Sequence, residues 1–186
     1  MPSLVRFLFL ATLLLALDVR PCMAETLNNQ IKTAYVLNFV KFTEWPAGAL
    51  ADGKVTLCVA GKNVLGGMLA TLEGRKAGGH VLHVVEYHAN TLLAGSKNTP
   101  KALDSCQVIF IGESEQHHYI SLIKSFGDSP VLTISDIDDF AENGGGIWLG
   151  YRERKIIFEV NLASVQAANL RLPGQLLNLA SYIFRR

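Results

Sequence analysis

The sequence predicts an α/β fold: a single three-layer-like domain with a largely parallel sheet, flanking helices and one antiparallel edge hairpin. Three observations carry this. Short runs rich in Val, Ile and Phe alternate with helix-length or turn-rich segments, the pattern of strands joined by crossovers. The chain has 186 residues, 49% of them hydrophobic and 18% charged, which suits one globular domain and excludes a disordered, collagenous or coiled-coil chain. Near the end, two strand-like runs flank the short turn Arg152-Glu153-Arg154 and read as a hairpin.

The first 24 residues are read apart from the fold. Arg6 supplies a positive start, Phe7–Leu17 is an unbroken run of Phe, Leu, Ala and Thr, and Cys22-Met23-Ala24 is a small-x-small site. Residues Met1–Ala24 are therefore expected to be a cleavable signal peptide, with the cut before Glu25. The apolar run is too short to anchor in a bilayer about 30 Å thick. Removing 24 of the 186 residues leaves a domain of 162, residues 25–186. It takes away Arg6, Arg20 and Asp18, so 17 basic and 16 acidic residues become 15 and 15. A formally neutral chain lacks the basic face that general nucleic-acid binding needs.

The elements follow in order. Asn28–Phe42 is helical in length, with Ile31, Tyr35, Phe39 and Phe42 on one stripe. Val36, Leu37 and Val40 fall on other faces, so the helix is expected to be buried on more than one side. Pro46 ends it by forcing Trp45 out of helical geometry. Val55–Ala60 reads as a buried strand, Asn63–Leu72 as a short helix, and Val81–Tyr87 as a strand. His88–Leu103 is polar, contains Pro100 and reads as a loop. Gln107–Ile111 is a strand, Ser114–Phe126 a helix and Val131–Ile134 a strand. Asp136–Glu142 is a helical turn closed by Gly144-Gly145-Gly146. Ile147–Tyr151 and Lys155–Leu162 form the hairpin, and Ala163–Arg186 reads as two helical segments split at Pro173-Gly174.

Reactive constellations are scarce. The run from Gly61 to Gly67 follows a strand and opens a helix, but it has neither the Walker ending nor the dinucleotide spacing. His117 and His118 are adjacent, so on a helix they point about 100° apart and chelate poorly. Asp136, Asp138, Asp139 and Glu142 follow a strand end, where ligands gather in open α/β sheets, although capping by Ser135 or Asp136 explains the same residues. Glu159, inside an apolar strand, is either exposed on an edge or paired with a nearby Arg. No catalytic pair, metal site or cofactor is expected, and the chain is not read as an enzyme.

After export two cysteines remain, Cys58 and Cys106. In an oxidising compartment they are expected to pair, the alternative being two buried free thiols. A 48-residue loop closed by such a bond is worth about 4 kcal/mol in the chain-entropy view.

Three segments carry a resemblance. Lys32–Pro46 (KTAYVLNFVKFTEWP) closely resembles the opening helix of the YfiR family of periplasmic regulatory proteins. Pro130–Asp136 (PVLTISD), with Phe140-Ala141 and Gly144-Gly145-Gly146-Ile147, resembles its central region. Lys155–Asn161 (KIIFEVN), leading to Leu176-Leu177, resembles its end. The resemblance implies an exported α/β protein that represses an inner-membrane diguanylate cyclase, and hence cyclic di-GMP and biofilm formation, by binding its periplasmic domain. It further implies capture by an outer-membrane lipoprotein, a homodimer, and a core disulfide at Cys58 and Cys106. A second pair found nearer the C-terminus in some relatives has no counterpart here.

Two functional expectations follow. The first is a periplasmic binding module that inhibits such a partner, with Tyr35, Phe39, Phe42 and Trp45 contributing a dimer or partner face. The second is a periplasmic small-molecule-binding sensor domain serving a histidine kinase or transporter, with a pocket near Gly61, Gly112 and Asp136.

Overall fold

The computed structural model describes residues 20–50, 53–87 and 105–185. Most of the expected signal peptide and the whole expected loop His88–Leu103 lie outside the described residues.

The chain enters through helix α1, Arg20–Phe42. Eight strands follow: β1 Lys54–Ala60, β2 Lys76–Ala77, β3 His80–Tyr87, β4 Val108–Ile111, β5 Leu132–Ser135, β6 Ile147–Arg152, β7 Lys155–Asn161 and β8 Tyr182–Phe184. They form one sheet in the order β2-β3-β1-β4-β5-β6-β7-β8. Neighbours from β3 to β6 run parallel, as do β7 and β8. The hairpin β6–β7 is antiparallel, and so is the short β2–β3 pair. The fold is the α/β arrangement expected, with the hairpin toward one end of the sheet and β8 added beyond it.

Strand periodicity divides the core into two layers. Alternate side chains point to opposite faces of a sheet. Val55, Leu57 and Val59 of β1, Val108 and Phe110 of β4, and Leu132 and Ile134 of β5 face one layer, where they meet Val36, Phe39 and Val40 of α1. Cys58 and Ala60 of β1, with Ile109 and Ile111 of β4, face the other. There they meet Tyr119 and Leu122 of α2, Tyr119–Phe126. Burial on both faces is why these strands read as continuous apolar runs rather than alternating ones.

Helix α1 buries a stripe of Thr33, Val36, Phe39, Val40 and Thr43. The two hydroxyls are satisfied within the helix: Thr33 Oγ1 donates to the Asn29 carbonyl at 2.8 Å and Thr43 Oγ1 to the Phe39 carbonyl at 2.7 Å. The expected stripe is rotated from this one. Of its members only Phe39 is fully buried, meeting Phe158 of β7 edge-on with ring centroids 5.0 Å apart, while Ile31 is exposed. Truncating a buried Phe of this kind costs on the order of 3–5 kcal/mol. The helix also begins at Arg20, before the expected start at Asn28.

Three local expectations are corrected. Val64–Leu72 is a run of 3-10 turns rather than an α-helix. Asn63, Leu65, Gly66 and Gly67 all have positive φ, which no α-helix of L-residues sustains. Ser114–Phe126 divides into a 3-10 turn, Glu113–Glu115, and the shorter α2. The segment after β5 is a run of turns, as expected, with the Asn143 N–H donating to the Asp139 carbonyl at 2.9 Å. Gly145 is required in it, because a Cβ there would lie 2.1 Å from the Phe140 ring. The C-terminal region holds two short helices, α3 Leu162–Ala167 and α4 Gly174–Leu177, and then β8 instead of further helix. The Asn161 side chain accepts the Ser164 N–H at 2.9 Å and so ends β7 one residue early by capping α3. Beyond α4, the Ser181 N–H donates to the Phe158 carbonyl at 2.8 Å and leads Tyr182–Phe184 onto the free edge of β7.

Two charge pairs involve the sheet. Arg152 Nη1 donates to Glu159 Oε1 at 3.1 Å, with its guanidinium over the Trp148 ring. At the far edge, Glu73 accepts the Val84 N–H at 2.6 Å and lies 3.2 Å from His83 Nδ1. The Val84 N–H first, and His83 second, hold its carboxyl below the ordinary value of 4.5. Because the folded value is depressed, the contribution is present above the unfolded value and is lost as pH falls through the folded one. Glu73→Gln should therefore lower the melting temperature slightly at neutral pH. The gap from the parent should close as pH drops below about 4.5 in parallel thermal melts.

Candidate functional site

Strand order reverses at β1. The chain leaves β1 for β3 on one side and returns through β4 on the other. The loops leaving the carboxyl ends of β1 and β4 therefore turn apart, and a crevice opens between them. A cavity of about 490 Å³ sits there, walled by the Lys62–Gly66 loop after β1 and the Gly112–Gln116 segment after β4. Asp136, just after β5, and Asn29 of α1 close it.

Two glycines let the loops touch. A Cβ on Gly61, whose φ is +128°, would lie 2.7 Å from Ser114 Oγ, and a Cβ on Gly112 would lie 2.6 Å from Val64 Cγ2. Ser114 Oγ joins the two loops. It accepts the Lys62 N–H at 2.9 Å and donates to Glu115 Oε1 at 3.0 Å. Glu115 is 1% exposed, so this hydroxyl serves a buried carboxylate.

Asp136 is the one inward member of its acidic run; Asp138, Asp139 and Glu142 are exposed. Its Oδ2 accepts from Lys32 Nζ at 3.0 Å, and both side chains are largely shielded. Its Oδ1 is buried without a hydrogen-bond partner. The capping role belongs to Ser135, whose Oγ accepts the Ile137 N–H at 3.0 Å and donates to the Ile111 carbonyl at 2.6 Å. Gly112 and Asp136 thus line one cavity, and Gly61 lies immediately before its Lys62 wall. Lys32, Lys62 and Asn29 were not singled out from sequence. Lys32 meets Asp136 across 104 residues, a distance at which no local pattern signals contact.

A second cavity, of about 650 Å³, lies at the other end of α1, bounded by Phe42, Trp45, Pro46, His80 and Pro173. Trp45 Nε1 and His80 Nδ1 are both buried without partners. The backbones of Glu44 and Arg171 exchange hydrogen bonds of 2.9 and 3.1 Å, which tie this corner to the C-terminal region. Phe42 and Trp45 are half-buried against the core, as is Tyr35. Phe39 is fully buried and cannot contribute to a surface here; the helical turn that exposes Tyr35 and Phe42 points Phe39 into the sheet.

Cys58 and Cys106 are joined by a disulfide with Cα atoms 5.8 Å apart, both side chains buried in the α2 layer. The alternative of two free thiols is thereby removed. The bond ties β1 to the segment entering β4. Gln107 reinforces the same joint, its Oε1 accepting the Thr56 N–H at 2.8 Å.

His117 and His118 are exposed ahead of α2. Among the described residues no three His, Cys, Asp or Glu side chains gather as a metal site would require. The site offers ion pairing and hydrogen bonding, through Lys32 with Asp136 and through Ser114 with Lys62 and Glu115.

Comparison with known proteins places residues 29–181 in a match to the family described as YfiR/HmsC-like. No curated protein matches the sequence.

Two outcomes are expected. Reducing the protein, or replacing both cysteines by alanine, should lower stability by about 2–5 kcal/mol in denaturant titrations; equal stability would show the bond to be idle. Lys32→Ala should cost about 1–3 kcal/mol by leaving a shielded carboxylate unpaired. Adding Asp136→Asn should recover part of that loss in a double-mutant cycle.

Proposed function

We propose that this chain, which belongs to the YfiR/HmsC-like family, is a periplasmic regulator that inhibits a membrane-bound diguanylate cyclase by contact with its periplasmic domain. The single observation that carries this is the family match over residues 29–181, which spans every described strand except the last. The protein acts by binding, not by catalysis. Export through the segment Met1–Ala24 accords with the Cys58–Cys106 disulfide, since such bonds persist in oxidising compartments. Among the described residues no helix is long and apolar enough to cross a membrane.

Tyr35, Phe42 and Trp45 are the residues proposed for the partner or dimer face. Support for Phe42 and Trp45 comes from the cavity at the end of α1, where the half-buried Phe42 ring stands with an indole N–H that has no partner; Tyr35 lies outside this cavity, against Phe39 and Phe158. A buried donor left unpaired costs free energy that a partner's acceptor would recover. A formally neutral domain also leaves apolar contact as the main source of affinity. An outer-membrane lipoprotein that captures the regulator would release the cyclase by favouring the captured state.

Deleting the gene should raise cyclic di-GMP and biofilm, and the parent chain supplied in trans should reverse both. Trp45→Ala, shown by circular dichroism to be folded, should fail to reverse them. Unchanged cyclic di-GMP in the deletion strain would exclude the cyclase as target.

A further inference from the structure

The cavity between the β1 and β4 loops plays no part in the partner face proposed above. Along α1, Asn29 and Phe42 are separated by roughly 20 Å of helix, so the two cavities lie at opposite ends of it. We infer that this switch-point cavity binds a small zwitterion of the α-amino-acid type, with its carboxylate toward Lys62 and its ammonium toward Glu113 and Asp136.

Position is the first argument. The cavity lies at the carboxyl ends of parallel strands where the strand order reverses, which is where open α/β sheets bind ligands. Size is the second: about 490 Å³ is within the span of small-molecule sites. The third is the chemistry of the wall. Lys62 brings a cation that has no ion-pair partner among the described residues. Glu25, Glu113 and the Lys32-paired Asp136 bring carboxylates, and Asn29 and Ser114 bring amide and hydroxyl groups.

A wall with both charge signs and neutral polar groups matches a ligand that carries both signs itself. Inorganic phosphate would share the cavity with the carboxylates of Glu25, Glu113 and Asp136, and like charges repel. An apolar ligand would leave these groups desolvated and unpaired. The buried Oδ1 of Asp136 adds a specific demand. Lys32 holds only the other oxygen, so the carboxylate keeps an unused acceptor that an ammonium donor would fill after a small movement of the side chain.

The test is thermal-shift measurement on the purified protein and on Lys62→Ala, each with glycine, L-serine, L-glutamine and L-arginine in turn. Phosphate and glucose serve as controls. At about ten times Kd, mass action should raise the parent melting temperature on the order of 3–5 °C for at least one amino acid. Lys62 is exposed, so Lys62→Ala should melt like the parent without ligand and lose the shift. No shift with any of the four amino acids would overturn the inference, as would a shift confined to phosphate or glucose. A shift retained in Lys62→Ala would overturn the placement. The protein is measured without a partner, so failure here leaves the cyclase-inhibition reading standing.

Discussion

The central strands β1, β4 and β5 are buried on both faces, and the rest of the molecule is arranged to cover them. Val55, Leu57 and Val59 require an apolar layer on one side; Cys58 and Ala60 require one on the other. Neither layer alone would keep these strands from water. α1 covers the first face with Val36, Phe39 and Val40, and the C-terminal region extends that cover with Val165, Leu170 and Leu176. α2 and the turns around Phe140 cover the second. The disulfide lies within this second layer, so it restrains the strand pair on which both layers rest.

The functional surfaces arise at the limits of this covering. α1 contributes residues to two separate features. Its N-terminal half closes the crevice at the strand carboxyl ends, where Lys32 reaches Asp136. Its C-terminal end delivers Phe42 and Trp45 to the corner held by Glu44 and Arg171. One helix thus borders both cavities.

Strong periodic signals were readable in the amino-acid order. Val55–Ala60, Gln107–Ile111 and the hairpin about Arg152 lie within a residue or two of their observed places; for the first two, burial on both faces demands uninterrupted apolar runs. Weak or context-dependent signals were not. β2 is two residues long and carries no period. Tyr182–Phe184 becomes a strand only because β7 presents an open edge to it. The stripe Ile31, Tyr35, Phe39 and Phe42 satisfies helical spacing, yet the face that packing on the sheet buries is Val36, Phe39 and Val40.

The candidate site divides in the same way. By itself the order of residues determined that glycines and an aspartate follow the strands at Gly61, Gly112 and Asp136, and that two cysteines remain in the domain after the expected leader. It determined the class of fold as well, because hydrophobic period is a local property that survives in any context. Only the tertiary structure decided that those strand ends converge on one crevice, that Lys32 pairs with Asp136 from 104 residues away, and that Phe39 belongs to the core. The reason is physical: strand order and helix rotation are set by packing between segments distant in the chain, and those contacts leave no trace in the spacing of neighbouring residues.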